Sequence, residues 1–445
     1  MITQIKVNNL KAFEKFKIQL KPITLFLGPN NSGKSSILSS LRILAQTIES
    51  YDSNVPLLLN GLLGDFGSYK DIIHKNSKNR KLTLSCTIDS KSNYIGFKSG
   101  EIEIDMDFIY RTKRREIILN TSKFYLEKNL ILSTNYSIDT EKQSIISIGG
   151  KDVPSALKAK FSDLFRYQNF LPQRFLAGMY STKSLTGDFI DEKVENAFRN
   201  ISKASNEIHK ALKNIEYVGA MRVPPTRTFI YTGESRAKIG ANGQFAANLL
   251  ALDAAKGGKK SKNIIQNVKQ WMLKAEMASD IKIEPISERH YELKIQHPVT
   301  KEYQNYSDVG FGHSQVLPVL IGGFNLPMES TFIVEQPEIH LHPKAQAELG
   351  DFFLNLYSRQ IQSLIETHSE HLILRLQRYV IEGKISPDDI VFYFVHASNE
   401  KKQIVELHLD ENGKFTTEWP QGFFPERLDE AREMAKSRFE KQKGK

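Results

Sequence analysis

The order of hydrophobic and polar positions along the chain predicts an α/β protein. Residues 2–28 predict three strands, of which "ITQIKVNN" and "FEKFKIQL" alternate while "ITLFLG" is apolar on both faces, as in a buried central strand. Apolar residues from Ile37 to Ile48 then recur at spacings of three and four, which predicts an amphipathic helix beginning at Ser35. A buried strand leading directly into a helix is the basic unit of an α/β fold.

The middle of the chain has two different patterns. Short alternating segments between residues 81 and 148 predict an antiparallel sheet with one solvated face. Residues 154–215 are predicted to be helical, and "VENAFRNISKASNEIHKALKNI" is the clearest amphipathic segment. These patterns predict an antiparallel β subdomain followed by a helical insertion.

From Ser307 onward, apolar strands alternate with helices: "TFIVEQPE", "QSLIETHS" and "DIVFYFVH" are separated by helical segments. Such alternation is typical of parallel strands joined by helical crossovers. We therefore divide the chain into five parts, two of which build one domain around a central mixed or parallel sheet. The ranges are 1–80 and 216–410 for that domain, 81–150 for the β subdomain, 151–215 for the helical insertion and 411–445 for a tail.

Composition and charge exclude few function classes. The 445 residues carry a formal net charge of +10, which keeps nucleic acid open as a partner. The basic residues fall in short clusters, however, and these define no binding groove by themselves. The single cysteine, Cys86, excludes an internal disulfide. The sequence has no apolar run of membrane-spanning length and no leader at its N-terminus, so we expect a cytoplasmic protein without membrane contact.

The segment from Gly28 to Ser35, "GPNNSGKS", matches the phosphate-binding Walker A pattern between a strand and a helix. Backbone N–H groups of such a loop and of the helix N-terminus surround a β-phosphate. Lys34 would neutralise the β- and γ-phosphates, and the Ser35 hydroxyl would ligate Mg²⁺. The predicted nucleotide-binding residues of this segment are Asn30, Asn31, Ser32, Gly33, Lys34, Ser35 and Ser36.

Two further residues stand at predicted strand ends, where ligands of parallel sheets bind. Glu335 ends the apolar run "TFIVE" and would hold the metal together with Ser35. His368 follows the next strand, "SLIE", and is a candidate contact to the γ-phosphate. The sequence thus predicts an ATP and Mg²⁺ site.

The order of these motifs resembles the ATP-binding-cassette group that includes the structural-maintenance-of-chromosomes and overcoming-lysogenisation-defect ATPases. The segments that carry the resemblance are Walker A, the glycine-rich "SDVGFGHSQVLP", the acidic strand "FIVEQPEIHLHP" and "ETHSEH". The tail "EWPQGFF" from Glu418 is similar to the Trp-Pro-x-Gly-Phe-Phe element of small stand-alone bacterial ATPases. The resemblance implies an ABC-type P-loop fold.

It also implies that two chains sandwich two ATP molecules, with the glycine-rich loop of one chain facing Walker A of the other. The loop residues that would reach the γ-phosphate are Ser307, Gly310, Gly312 and Ser314. Their spacing differs from the Leu-Ser-Gly-Gly-Gln form, which leaves open which serine makes the contact. His340, Leu341 and His342 would form a loop that crosses to the partner.

One position departs from the family pattern. The metal-binding acid is usually followed by a catalytic glutamate, whereas Glu335 is followed by Gln336. A neutral amide accepts no proton, so either Gln336 orients the attacking water or Glu338 serves as the base. We therefore expect slow ATP hydrolysis.

The resemblance suggests an ATP-switched dimer or higher oligomer that regulates a separate effector, such as a nuclease or toxin, in bacterial antiphage defence. The alternative is a DNA-repair or recombination clamp that binds duplex DNA directly. A small-molecule kinase would need an acceptor-binding signature, for which we find no candidate in the sequence.

Overall fold

The structure is a computed structural model, and it describes residues 1–75, 77, 80–90, 100–162, 165–174, 192–231, 237–256, 261–398 and 401–417. The N-terminal elements are β1 (Ile2–Leu10), β2 (Phe13–Gln19), β3 (Ile23–Leu27), α1 (Lys34–Ile48), β4 (Asn60–Gly61), β5 (Gly64–Asp65) and α2 (Tyr69–Ile72). They are followed by β6 (Leu82–Ser90), β7 (Gly100–Arg111), β8 (Glu116–Leu126), β9 (Asn129–Ser137), β10 (Lys142–Ile148), β11 (Lys151–Asp152), α3 (Ser155–Ser162), β12 (Phe165–Gln168), β13 (Leu171–Arg174) and α4 (Glu192–Lys213).

The second half alternates strands and helices more regularly. It begins with β14 (Ile215–Val218), β15 (Phe229–Ile230), α5 (Ala246–Lys256), α6 (Ile264–Lys274), β16 (Asp280–Pro285), β17 (His290–Gln296), β18 (Tyr303–Asn305) and α7 (Phe311–Asn325). It continues with β19 (Thr331–Glu335), α8 (Pro343–Ser358), β20 (Gln362–Glu366), α9 (Glu370–Ile381), the short 3₁₀ turn Pro387–Asp389, β21 (Ile390–Ser398) and β22 (Lys401–Leu407).

The central sheet has the strand order β14-β19-β20-β3-β21-β22. Neighbouring strands from β14 to β21 are parallel, and only β22 pairs antiparallel with β21. All five residues of β3 are buried, as the continuous apolar run predicted for a strand covered on both faces. This sheet confirms the α/β class and brings the ends of β19, β20 and β3 to one edge.

An eight-stranded antiparallel sheet has the order β11-β10-β9-β8-β7-β6-β1-β2. The antiparallel sheet predicted for residues 81–148 is thereby confirmed, and β1 and β2 extend it because β1 pairs with β6. In β7 every second residue from Ile102 to Phe108 is buried, so one face of this sheet packs against the rest of the protein.

Two hydrophobic cores lie on opposite faces of the central sheet. Phe26 of β3 packs with α1 and α4 in a core shared with the antiparallel sheet. Leu25 and Leu27 point to the other face, where they join residues of α5 to α9. This alternation along β3 fixes the strand between the two layers and places the loop after Leu27 at the sheet edge.

The prediction that residues 154–215 are helical is confirmed for α3 and α4 and is wrong for residues 165–174, which form the β12–β13 hairpin. Phe165 of this hairpin stacks on Phe198 of α4, with ring centroids 5.4 Å apart. The hairpin therefore depends on a tertiary contact that local spacing does not encode. Among the described residues, no helix is both long enough and apolar enough to span a bilayer. The tail "EWPQGFF" lies outside the described residues.

Candidate nucleotide-binding site

The loop between β3 and α1 has a backbone that two glycines make possible. Gly28 has a φ of 128°, and a Cβ added there would lie 2.0 Å from the Val395 carbonyl oxygen. Gly33, the N-cap of α1, has a φ of 114°, and its Cβ would meet the Phe13 ring at 2.8 Å. Any L side chain would be strained and would clash at both positions, so glycine fixes this loop against β21 and the β1–β2 turn.

Lys34 points back into the loop that precedes it. Its Nζ donates to the carbonyl oxygens of Gly28 and Pro29, each at 2.9 Å, and lies 3.8 Å from a carboxylate oxygen of Glu366. The side chain is 3% exposed. Burial lowers the pKa of Lys34, and nearby carboxylates, with Glu366 the largest contributor, offset part of that shift. A buried ammonium held by carbonyl dipoles is suited to anionic phosphate oxygens.

The N-terminus of α1 has no acidic residue of its own. No side chain caps the helix, and its first turn contains no acidic residue. Asn30, Asn31 and Ser35 are exposed around the loop, whereas the Ser32 hydroxyl is buried without a hydrogen-bond partner in the described part of the chain. The Ser36 N–H donates to Gly33 O at 2.9 Å and is already used within the helix. The free N–H groups and the positive dipole end of α1 therefore form a binding site for an anion such as phosphate.

Two carboxylates face each other beside this loop. Glu335 and Glu366 end β19 and β20 and are direct partners in the strand register. Ser35 Oγ donates to Glu366 Oε2 at 2.8 Å. Burial, followed by the charge of Glu335, raises the pKa of Glu366 to about 7. Two carboxylates and a hydroxyl are oxygen ligands of the kind that Mg²⁺ takes, and a cation between them would relieve their repulsion.

Arg42 of α1 holds Glu335 in place. Its Nη1 lies 3.2 Å from Glu335 Oε1, while Nε and Nη2 donate to Leu63 O at 3.1 and 2.6 Å. The guanidinium also stacks over the Tyr217 ring, with 3.6 Å between Cζ and the centroid. The Glu335 carboxylate is thereby positioned by α1, the residue 62–63 turn and β14 together.

The segment after β19 contains the candidate base. Glu338 is 8% exposed, and its Oε1 accepts the His368 N–H at 2.6 Å. Burial raises the pKa of Glu338, while it lowers the pKa of His368 with a smaller contribution from Lys34. Both shifts favour neutral groups, and a carboxyl whose pKa moves toward neutrality is better matched to proton transfer.

Gln336 has a left-handed backbone, with a φ of 45°. Its N–H donates to Glu366 O at 2.7 Å, which ties the turn to the end of β20. Within the described residues the side-chain amide forms no hydrogen bond and is half-buried. The amide is therefore available to a ligand or to water.

Arg222, from the long connection after β14, supports the same turn. Its Nη2 donates to Glu335 O at 2.7 Å and to Gln336 O at 3.2 Å. Nε and Nη1 are buried and have no hydrogen-bond partner among the described residues. Burial lowers the pKa of Arg222 to about 10, and the charge of Glu338 is the largest effect that opposes this shift. Arg222 thus supplies a fixed positive charge beneath the strand end.

The glycine-rich loop begins α7. Gly310 is its exposed N-cap, and a Cβ added there would meet nothing within 4 Å. A Cβ on Gly312 would lie 2.8 Å from His340 O, so this glycine packs against the segment after β19. The Ser314 hydroxyl is buried and donates to Phe311 O at 2.8 Å, whereas Ser307 Oγ donates to Asn305 Oδ1 at 2.9 Å. Both hydroxyls are used within the chain, which leaves the exposed backbone around Gly310 as the open part of the loop.

The predicted crossing loop is built from three differently placed residues. His340 is exposed and has a φ of 60°, Leu341 is buried, and His342 is exposed at the N-cap of α8. The His340 ring lies 6.0 Å from that of Phe311, which is 69% exposed. One exposed surface therefore combines this loop with the start of α7.

The structure brings Walker A, Glu335, Glu338 and His368 together at one sheet edge. Three residues of this site escaped sequence reasoning: Glu366, Arg42 and Arg222. Glu366 could have been found, because it ends a strand in the same way as Glu335. Arg42 and Arg222 reach the site through contacts across 293 and 113 residues of sequence, and no motif marks them.

The chemistry of these donors fits ATP with Mg²⁺. Among the described residues, no group of three or more His, Cys, Asp or Glu side chains is placed to hold a metal by itself. Mg²⁺ at nucleotide sites usually takes one or two carboxylates and completes its coordination with phosphate and water, so Ser35, Glu335 and Glu366 suffice.

Comparison with known proteins identifies the family. A sequence model described as "AAA ATPase domain" matches residues 1–373, and one described as "Protein of unknown function (DUF3696)" matches residues 385–434. No curated protein matches the chain in sequence.

The chain is also similar to solved structures of SMC head domains. One, bound to the C-winged helix domain of ScpA, has 11% sequence identity and a TM-score of 0.48, and the match covers 92% of this chain and 98% of that one. A second, from Pyrococcus furiosus and bound to the C-terminal domain of ScpA, has 12% identity and a TM-score of 0.45, with coverage of 92% and 96%. The Thermotoga maritima SMC head has 12% identity and a TM-score of 0.40, with coverage of 91% and 98%.

Proposed function

This chain belongs to the AAA ATPase domain family, and on that premise we propose that it is a slow, ABC-type ATPase that assembles through nucleotide and regulates a separate effector. The observation that carries the proposal is the convergence of Lys34, Ser35, Glu335 and Glu366 at adjacent strand ends. A buried cation beside two facing carboxylates is the arrangement expected for a triphosphate with its divalent metal.

Each residue has a distinct role in this proposal. Lys34 exchanges its two carbonyl partners for phosphate oxygens, and the open amides of α1 bind the same phosphates. Ser35 and Glu335 hold Mg²⁺, with Glu366 beside them. When bound, Mg²⁺ neutralises the charge that develops on the phosphates. His368 faces the γ-phosphate as a neutral imidazole.

Hydrolysis depends on Gln336 and Glu338. The free amide of Gln336 orients the attacking water, or the buried carboxyl of Glu338 accepts its proton. Since Glu338 already accepts the His368 N–H through one oxygen, only its second oxygen is available for that work. Gln336 accepts no proton and only one oxygen of Glu338 is open, so hydrolysis is slow and the ATP-bound state is long-lived.

Assembly uses the exposed start of α7. In the sandwich, backbone N–H groups around Gly310 reach the γ-phosphate held by the partner, with Ser307, Gly312 and Ser314 supporting the loop from within. His340 and His342 lie on the same exposed side. Two incomplete sites then become two complete ones, which makes nucleotide a switch for dimerisation or for a higher oligomer.

The effector role rests on the resemblance to antiphage ATPases that act with a nuclease or toxin. The rival role, a clamp on duplex DNA, is favoured by the exposed basic residues Lys113 and Arg115 at the turn between β7 and β8. If the protein is such a clamp, its affinity for DNA should fall steeply as the salt concentration rises, because salt cations compete with the basic side chains for the DNA phosphates. An effector regulator predicts no such dependence.

Steady-state ATP hydrolysis by the purified protein tests the proposed slow switch. We expect turnover below about one per second, at the low end of ordinary enzyme rates, because the usual glutamate is replaced by Gln336. Lys34→Ala, which should remove the activity, controls for a contaminating ATPase. Turnover of tens per second without a partner would contradict the proposal.

A further inference from the structure

A cavity of about 640 Å³ lies along β14, away from the nucleotide site. Its size is that of pockets that enclose small organic ligands. The apolar walls come from the turn after β4, from α5 and from the loop before β19, and they include Leu62, Leu63, Phe245, Leu249, Leu252 and Leu326. No Walker A residue lines it, so it is separate from the nucleotide site.

Buried polar atoms line this cavity without partners. Glu216 and Ser330 are both 0% exposed. Glu216 Oε2 accepts the Ile239 N–H at 3.4 Å, whereas Glu216 Oε1 and Ser330 Oγ have no hydrogen-bond partner in the described part of the chain. Burial raises the pKa of Glu216 to about 8, so this carboxyl carries a proton at neutral pH and acts as a donor. Buried polar atoms are normally paired, and a ligand that displaces the cavity wall enough to reach them would satisfy these two.

The charges around the cavity favour an anion. Lys213, Lys238, Lys256 and Lys262 all line it. Lys238 forms an ion pair with Glu49, and Lys262 Nζ donates to Asn325 Oδ1 at 2.8 Å. Lys213 and Lys256 form no ion pair with another described residue.

The remaining acidic group at the cavity is already satisfied. Asp253 accepts the N–H groups of Lys262 and Ile264 at 2.6 and 2.9 Å, as well as the Ser261 hydroxyl at 3.0 Å. Four lysines outnumber the three acids Glu49, Glu216 and Asp253 around the cavity, and Lys213 and Lys256, which form no ion pair with a described residue, leave an excess of positive charge beside the apolar walls.

We propose that this cavity is a regulatory site that binds a small organic anion with an apolar body. Binding of this ligand is coupled to binding at the nucleotide site. The apolar body packs on the leucines, Ser330 and Glu216 donate to a polar group, and Lys213 and Lys256 bind the anionic end. These contacts define an amphipathic ligand and exclude a simple inorganic ion, which would gain nothing from the apolar walls.

The coupling has a structural route, and this half of the proposal rests on the nucleotide site proposed above. Leu63 lines the cavity, and its carbonyl oxygen accepts two hydrogen bonds from Arg42, which contacts Glu335. Glu49, another lining residue, is the C-cap of α1, whose N-terminus is Walker A. A ligand that shifts the residue 62–63 turn therefore changes how Glu335 is held, and by linkage nucleotide changes the affinity for that ligand.

Fluorescence titration with 8-anilino-1-naphthalenesulfonate, an amphipathic anion, tests the site in the full chain with ADP and Mg²⁺ present to fill the nucleotide site. We expect saturable binding at one site per chain. The double variant Lys213→Glu/Lys256→Glu should weaken it by about tenfold or more, because each charged contact is worth about a tenfold change in affinity. Leu252→Trp, which fills the chamber, should remove it.

The matched control is Lys274→Glu/Lys301→Glu, since Lys274 ends α6 as Lys213 and Lys256 end α4 and α5 but lies away from the cavity. Unsaturable binding, or equal loss in both double variants, would overturn the site.

For the coupling, saturating probe should change the affinity for labelled ATP by about fivefold or more in wild type and leave the ATP affinity of the Lys213→Glu/Lys256→Glu variant unaffected. Unchanged ATP affinity overturns the coupling, whereas a protein that binds the probe but no ATP contradicts the proposed function instead.

Discussion

Gln336 and Glu338 are the two candidates for the work that a single glutamate usually does. Gln336 presents a free amide from a left-handed turn that Arg222 and Glu366 O hold in place. Glu338 is buried and holds the His368 N–H. Because this carboxyl has a structural partner, removing it changes both chemistry and position, and only a conservative substitution separates the two effects.

We predict that Glu338→Gln distinguishes a base from a positioning residue. If Glu338 accepts the proton, Glu338→Gln and Glu338→Ala should each lower turnover by about 10²-fold or more while ATP still binds. If it only positions His368, glutamine should keep the amide acceptor and restore most of the rate that alanine loses. Single-turnover hydrolysis measures both variants.

Gln336→Ala provides the matching measurement. A large loss of turnover here, with little effect of Glu338→Gln, would assign water orientation to Gln336. Unchanged turnover in both variants would contradict a catalytic role for either residue.

At the level of single residues, Walker A was predictable because its chemistry depends on contiguous sequence. Glu335 and His368 were predictable from their positions after apolar strands. Glu366 also ends such a strand, but its position beside Glu335 depends on the pairing of β19 with β20, which the sequence does not show. Arg42 and Arg222 were not predictable, since a basic residue acquires a role there only once distant elements meet.

Among the elements, α7 has an open start and a tightly packed continuation. Gly310 faces free space, whereas Gly312 packs against His340 O. A large residue at position 312 would disturb the chain itself, so it is a poor probe of an interface. A Cβ at position 310 would meet nothing within 4 Å, so this position is the better place for a large side chain.

We predict that Gly310→Trp weakens ATP-dependent association and leaves the monomer folded. The indole would occupy the space in which the partner's γ-phosphate must approach the loop. Sedimentation with Mg²⁺ and a non-hydrolysable ATP analogue measures the effect, with Val299→Trp, on an exposed turn, as the control. Equal association of both variants and wild type would contradict a nucleotide sandwich through α7.

Elements with strong local patterns were predictable, and those that depend on distant pairing were not. Phe16, Ile18 and Leu20, in and directly after β2, are buried and alternate with exposed residues, so the sequence shows the strand directly. The strand β1 belongs to the antiparallel sheet because it pairs with β6. In this pairing Ile5 lies opposite Cys86, which is about eighty residues later in the sequence. The β12–β13 hairpin likewise depends on α4, and local pattern favoured a helix there.

For the whole molecule, the first strand of the central sheet, β14, carries a fully buried acid. Glu216 of β14 has a pKa raised from 4.5 to about 8 by burial. A carboxyl with a raised folded-state pKa stabilises the fold fully below pH 4.5, and that contribution is lost as the pH rises through 8. Glu216 therefore makes the protein less stable in alkaline solution.

We predict that Glu216→Gln flattens this dependence. Since glutamine stays neutral, the variant should match wild type at about pH 4 and be more stable than wild type at about pH 9, two conditions on either side of the range from 4.5 to about 8. Thermal unfolding across this range measures the difference, with Glu302→Gln as an exposed control. Parallel curves for wild type and Glu216→Gln would show that the carboxyl does not titrate as described.

At this scale the central claim is that one sheet edge forms an ATP site around Lys34. Equilibrium binding of fluorescently labelled ATP to wild type and to Lys34→Ala, each with Mg²⁺, tests it most directly, with unfolding curves to confirm that both are folded. The account predicts saturable binding to wild type and loss of binding in the variant, because Lys34 is the buried ammonium within the loop. Undiminished affinity in a folded Lys34→Ala protein would contradict it.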